Sequence, residues 1–161
     1  MSVSISARQL SRAEDCLVGF TLAAAATGAI PVPGASTAIV AENAAMVVAL
    51  SNILADEVDG KELAAALSSV AGMNVLGKTV FLEGARALGW FAGPLGVGGI
   101  MALGSATAAL QTWCIGRLAI SFFENGQKMP SKAEARRTLR AAEADFDLDA
   151  LKKRKRQTQP A

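Results

Sequence analysis

An all-α fold, a bundle of about six helices built from two helical hairpins, is what this sequence predicts, on three observations. Large apolar residues recur at spacings of three, four and seven, and no stretch of useful length alternates apolar with polar. Uncharged, alanine-rich runs extend from Cys16 to Ala41 and from Ala87 to Gly116. A Pro/Gly corner interrupts each run, with Pro31, Pro33 and Gly34 in the first and Gly93 and Pro94 in the second.

Residues 1–15 read as a polar N-terminal segment that enters the first helix near Ser11. Residues 16–30 make that helix, and Pro31 ends it because its ring blocks the helical hydrogen bond and biases Ile30 toward extended backbone. Pro33-Gly34 supplies the turn, and Ser36 or Thr37 can cap the next helix, which runs to about Val58. Ile39, Val40, Met46, Val47, Leu50, Ile53, Leu54 and Val58 mark its apolar face, with Glu42, Asn43, Ser51 and Asn52 mostly opposite. Asp59-Gly60 is suited to end it, with Gly60 as a left-handed cap. A short helix over 61–72, with Leu63, Leu67 and Val70 on one side, leads through a connector at 73–78 to a helix over 79–92. There Glu83 and Arg86 stand three apart and can pair. Pro94 fits the first turn of the longest apolar helix, which reaches about Asn125, with Gly126 as its stop. Ser131 and Glu134 form a capping box for a polar helix ending near Asp145. The organisation is thus a polar segment (1–15), an apolar helical-hairpin domain (16–127), a polar amphipathic helix (128–145) and a basic disordered tail (146–161).

Composition narrows the chemistry. The chain has 161 residues, enough for one domain with a sizeable core. Apolar residues make up 52% and charged residues 19%, and 15 glycines accompany the alanines, so small residues let helices approach closely. There is no histidine, which removes the usual proton-transfer group near neutral pH and the commonest metal ligand. Cys16 and Cys114 lie far apart in apolar surroundings and read as buried thiols; neither belongs to a zinc-type pair. No cofactor is expected. The net charge of +2 conceals an asymmetry, because Lys152, Lys153, Arg154, Lys155 and Arg156 carry five positive charges while the other 156 residues sum to −3.

Length bears on the membrane. A spanning helix needs about 20 apolar residues, rising about 1.5 Å each, to cross about 30 Å of hydrocarbon. Residues 17–30 provide 14 and residues 95–116 provide 22. The helix from 37 carries Glu42 near its start, where a carboxylate costs less than the roughly 2.5–3.5 kcal/mol of the bilayer centre. Gly89, Gly93, Gly99 and Gly104 form a row of small residues suited to helix packing. No secretory signal is expected, since Arg8, Arg12, Glu14 and Asp15 precede the first apolar run. The basic cluster can lie on anionic lipid, and two hairpins entering a bilayer leave both termini on the cytoplasmic side, as the positive-inside rule prefers. A soluble bundle whose alanines inflate the hydropathy, and whose basic end is merely solvated or meets nucleic acid without specificity, is the rival reading.

No constellation supports an enzyme. "GPLGVGG" lacks the GK[ST] of a phosphate loop and follows no strand. Glu42 and Glu83 lie on otherwise apolar helices, and placement on a helix surface, or a buried polar contact to a neighbouring helix, explains such residues better than acid/base work. Ser105, Thr107 and Thr112 read as bonding back along their helix or across to another, and Trp113, Phe122 and Phe123 suit an interface or a core.

The segments "TGAIPVPGAS", "LGWFAGPLGVGG" and "TAALQTWCIGRLAISFFENG", with Met46 and Leu50 between the first two, resemble the helical domain of unknown function that follows Era-like GTPase domains in many bacterial proteins. They are also similar to the helical part of the YcjF inner-membrane proteins. The resemblance covers about residues 16–127 and rests on the two corners, Gly116, Phe123 and the closing Asn125-Gly126. It departs at Asn43, where the family often has glutamine, and in placing Trp113 after Thr112; the chain carries no GTPase domain. The resemblance implies a stand-alone, non-enzymatic, membrane-associated interaction or scaffold module of the bacterial cytoplasmic membrane. The partner it implies is a GTPase in trans; the chain as a whole is also expected to meet membrane lipids, another protein or further copies of itself, but no specific nucleic acid. A soluble helical adaptor and a membrane-perturbing or pore-forming protein are the alternatives.

Overall fold

The computed structural model describes residues 5–30, 35–55, 59, 60, 62, 63, 66, 67 and 93–158, the side chains of residues 36, 93–96 and 158 apart. It is an all-α bundle. Five helices are described where six were expected: α1 (Ala7–Gly28), α2 (Ala35–Leu54), α3 (Gly93–Glu124), α4 (Lys132–Ala144) and α5 (Leu148–Thr158). The expected connector at 73–78, the helix over 79–92 and the corner at 31–34 lie outside the described residues.

α1 starts at Ala7, well before the uncharged run. Ser6 and Gln9 form a capping box, in which the Gln9 amide donates to Ser6 Oγ at 3.2 Å and the Ser6 amide donates to Gln9 Oε1 at 3.0 Å. The polar segment is helical because its charged side chains share α1 with Ala13 and Leu17, which are fully buried. α2 buries Ile39, Met46, Val47, Leu50 and Leu54, but Val40 is 60% exposed. Asn43 and Ser51, expected on a polar face, are buried instead. The reason is that α2 packs against both α1 and α3, so its covered surface is wider than one apolar stripe.

Beyond α2, the Asp59-Gly60 pair opens a helical turn rather than closing one. The Leu63 amide donates to the Asp59 carbonyl at 3.0 Å, and Gly60 has no positive φ. A side chain at Gly60 would meet Ser51 Oγ at 2.6 Å and Val48 Cα at 2.7 Å, so glycine serves close approach here. α3 ends as expected at Gly126. With φ at +70° for Gly126 and +61° for Gln127, the Gln127 amide bonds the Phe122 carbonyl at 2.9 Å and the Gly126 amide the Phe123 carbonyl at 3.1 Å, a Schellman ending.

α1 and α2 are antiparallel, since Thr27 meets Glu42 at one end and Gln9 donates to the Ile53 carbonyl at the other. α1 and α3 are also antiparallel: Gly28 faces Gly104 and Ala108, whereas Gly116 faces Leu17. α2 and α3 therefore run parallel, with Asn43 level with Thr112 and Met46 with Gly116. The main core lies below these crossings, where Leu17, Met46, Leu50, Leu54, Leu118, Ile120 and Phe123 meet Leu63, Leu67 and Ala135 of α4. Burying each leucine or phenylalanine there contributes about 1.5–3 kcal/mol.

The tail corrects the expectation of disorder, because residues 148–158 are helical. Asp147 Oδ1 caps α5 by accepting from the amides of Asp149 at 2.9 Å and Ala150 at 3.0 Å. Asp149 in the first turn and Lys155 and Arg156 in the last suit the helix dipole. Leu151 is buried, and Phe146 meets Trp113 of α3 with ring centroids 6.4 Å apart.

Candidate functional site

The three long helices carry a polar seam across an otherwise apolar interior. Thr112 Oγ1 donates to Asn43 Oδ1 at 2.7 Å with both residues buried. Thr27 Oγ1 donates to Glu42 Oε1 at 2.6 Å, joining α1 to α2. Thr21 is fully buried, and the spacing of the α1–α3 crossings puts it level with Thr112. Its hydroxyl and Glu42 Oε2 find no partner among the described residues. Glu42 and Thr112 thus bond across to neighbouring helices, one of the two roles left open for each; Glu83 lies outside the described residues. Among the described residues, no three His, Cys, Asp or Glu side chains gather as a metal site. Cys16 is half-buried, and loss of water pushes its thiol up from the ordinary value, while Cys114 is buried.

Charge is distributed unevenly along the bundle. One end comprises the C-terminal part of α1 and the N-terminal parts of α2 and α3. Glu42 is its only charged residue on those segments, and Ile30, Val40, Met101 and Leu103 are 47, 60, 39 and 48% exposed there. The opposite end holds Glu14, Asp15, Arg117 and the charged α4.

α5 lies along α1 and divides the five-residue basic cluster between two tasks. Arg154 turns to the acidic pair on α1, 2.9 Å from Asp15 Oδ1 and 3.5 Å from Glu14 Oε2. Arg117 of α3 approaches Glu14 at 3.8 Å and lies 5.9 Å over the Trp113 ring. Lys152, Lys155 and Arg156 instead line an open cleft of about 420 Å³. Its floor is Leu22, Ala25 and Ala26 of α1 and Ala29 just after it, with Ser105 of α3 also lining the cleft. Lys153 is exposed.

The other residues singled out by sequence fall as follows. Gly104 is buried at the crossing with Gly28, where a Cβ on Gly28 would collide with the Gly104 carbonyl and with Ala108. Gly99 is exposed, with open space where a Cβ would stand, so it packs against nothing among the described residues. Gly93 and Pro94 begin α3 as expected, and Pro31, Pro33, Gly34 and Gly89 lie outside the described residues. Sequence reading missed the docked α5 altogether. Its signal was present, since Phe146 and Leu151 flank Asp147 at the positions of a hydrophobic staple.

Among the described helices one is long and apolar enough to cross a membrane, over Thr37–Leu54, and 39% of that stretch is buried in the bundle. By length and composition alone, a core helix of a water-soluble bundle passes the same test. Residues 95–116, long enough by count, do not add a second span among the described residues. Compared with models of known families, with curated proteins and with solved structures, the chain matches none.

Proposed function

We propose that this chain is a non-enzymatic helical interaction or scaffold module that associates with the bacterial cytoplasmic membrane, both termini facing the cytoplasm. The observation that carries this reading is the polarity of the bundle: an end with exposed Ile30, Val40, Met101 and Leu103 and almost no charge, flanked by the basic face of α5. An apolar tip beside cations is the arrangement by which helices lie in an anionic interface, their apolar part buried about 5–10 Å. The antiparallel pair of α1 and α2 supplies the tip, together with the N-terminal part of α3. The likeness to the helical domains that accompany Era-like GTPases, and to YcjF inner-membrane proteins, supports a GTPase in trans as partner.

Carbonate extraction of cell membranes tests the reading: the protein stays in the pellet. Release into the wash would favour a soluble adaptor whose exposed end meets a protein, a reading supported by the well-filled core around Leu17, Met46 and Leu118. Leakage of dye from anionic liposomes would favour a membrane-perturbing protein.

A further inference from the structure

α5 is held to the bundle lightly. Its apolar anchors are Leu151, which is buried, and Leu148, which is half-buried. Its charged anchor is Arg154, which reaches Asp15 Oδ1 at 2.9 Å and Glu14 Oε2 at 3.5 Å. These three side chains keep 41, 54 and 37% of their surface in water. Each pair is therefore screened by salt and favours docking by at most about fivefold. Undocking strands no charge. Asp15 is exposed, Glu14 keeps Arg117 at 3.8 Å, and Lys152 carries its own partner, Asp149, within α5 at 3.2 Å. The joint is Phe146-Asp147, where Phe146 is fastened to Trp113 of α3 while Asp147 caps α5 and goes with it.

We propose that α5 is a detachable arm, docked on α1 in water and moved onto an anionic phospholipid surface when the bundle meets one, a regulation that rests on the membrane-associated reading above. Leu148 and Leu151 are covered in either place, by the bundle or by the interfacial layer of the bilayer, so apolar burial does not decide between them. Charge decides. Docked, Arg154 faces two carboxylates, and Lys155 is also engaged within the fold. On the lipid, Lys153, Arg154, Lys155 and Arg156 all meet phosphates, each favouring that surface about fivefold and the four together roughly 600-fold. The two Arg154 pairs return about 25-fold at most. In water nothing replaces the contacts of Leu151, and α5 stays docked. Departure changes α1 as well. Lys152, Lys155 and Arg156 stand along the uncharged strip of Leu22, Ala25, Ala26 and Ala29, which runs directly into the exposed Ile30. Release joins that strip to the apolar tip, so the docked arm restrains membrane contact until anionic lipid is present.

The test is the distance between spin labels on the full chain carrying Ala23→Cys and Gln157→Cys, both exposed positions, with Cys16→Ala and Cys114→Ala. It is read in buffer and on phosphatidylcholine vesicles that contain or lack phosphatidylglycerol. One short distance in buffer and on neutral vesicles, and a longer one on anionic vesicles, is the expected result. Lys153→Gln/Arg156→Gln raises the anionic-vesicle concentration for half release about 25-fold. Glu14→Gln/Asp15→Asn lowers it by up to about 25-fold. The unlabelled parent gives a second measurement: α5 amide protection falls between about 0.05 and about 0.5 M NaCl, and Glu14→Gln/Asp15→Asn starts low and no longer responds. A protein that floats with anionic vesicles while keeping the short distance would overturn the arm and leave membrane association standing. So would a longer distance that neutral vesicles produce equally, or α5 protection indifferent to salt. Failure to float with either vesicle would overturn both. Equal release by single-stranded RNA at matched charge would replace lipid by nucleic acid as the releasing partner.

Discussion

The hydroxyl of Thr112 donates across the helix interface to the side-chain carbonyl of Asn43, 2.7 Å away, and both residues are shut off from water. The bond fixes α2 and α3 in parallel register at the level where α1 contributes Thr21. A slip of either helix would leave a buried amide and a buried hydroxyl unmatched. A lone unmatched polar group of this kind costs about 1–3 kcal/mol.

Thr112→Val, which keeps the shape and removes the donor, is therefore expected to destabilise the protein by about 1–3 kcal/mol. Adding Asn43→Leu recovers part of that loss because no unmatched amide remains. Thermal unfolding followed by circular dichroism reads both, and an unchanged midpoint in the single variant would show that Asn43 has another partner.

The two classes of glycine on the long helices respond oppositely to alanine. Gly28→Ala drives a methyl into the Gly104 backbone and forces α1 from α3, a strain of about 1–3 kcal/mol. Gly99→Ala meets open space and gains helix propensity of up to about 1 kcal/mol. Unfolding midpoints should fall for the first and rise for the second; movement in the same direction would contradict the α1–α3 crossing.

The end of α3 offers a paired test of backbone conformation. Gly126 has φ +70° with free space around it, so Gly126→Ala loses about 1–2 kcal/mol from the left-handed backbone alone. Gln127, at φ +61°, carries a side chain in the same region, and Gln127→Gly relieves it by a few tenths up to about 1 kcal/mol. Equilibrium denaturation that showed no difference between these variants would remove the Schellman ending.

The capping box of α4 makes its first turn sensitive to acid. Hydrogen bonds from Ser131, chiefly its side chain and then its amide, hold the Glu134 carboxyl below its ordinary value of 4.5, with help from Arg137. A carboxyl whose folded value is depressed adds stability that is complete above the ordinary value and is lost as pH falls through the folded one. The protection factors of the α4 amides, with the intrinsic pH dependence of exchange divided out, should thus fall as pH drops below that ordinary value. Glu134→Gln, which can still reach back to the Ser131 amide, should flatten that profile. A profile unchanged by the substitution would assign the acid response to other carboxylates.

The sequence by itself determined what is decided within a few neighbouring residues. Those features are the all-α class, the Ser131–Glu134 capping box, the span of α3 and its stop at Gly126, all set by periodicity, caps and backbone freedom. Even there it was read incompletely, as the Ser6–Gln9 box and the Phe146–Asp147–Leu151 signal carried α1 and α5 further than polarity alone suggested. Only the tertiary structure decided that Asn43 and Ser51 face inward, that α2 and α3 are parallel, and that Arg154 joins α1 while Lys152, Lys155 and Arg156 open onto a cleft. Those outcomes depend on register between segments as far as 139 residues apart. That register follows from where Gly28 and Gly116 let the helices touch, which no local pattern of apolar and polar residues encodes.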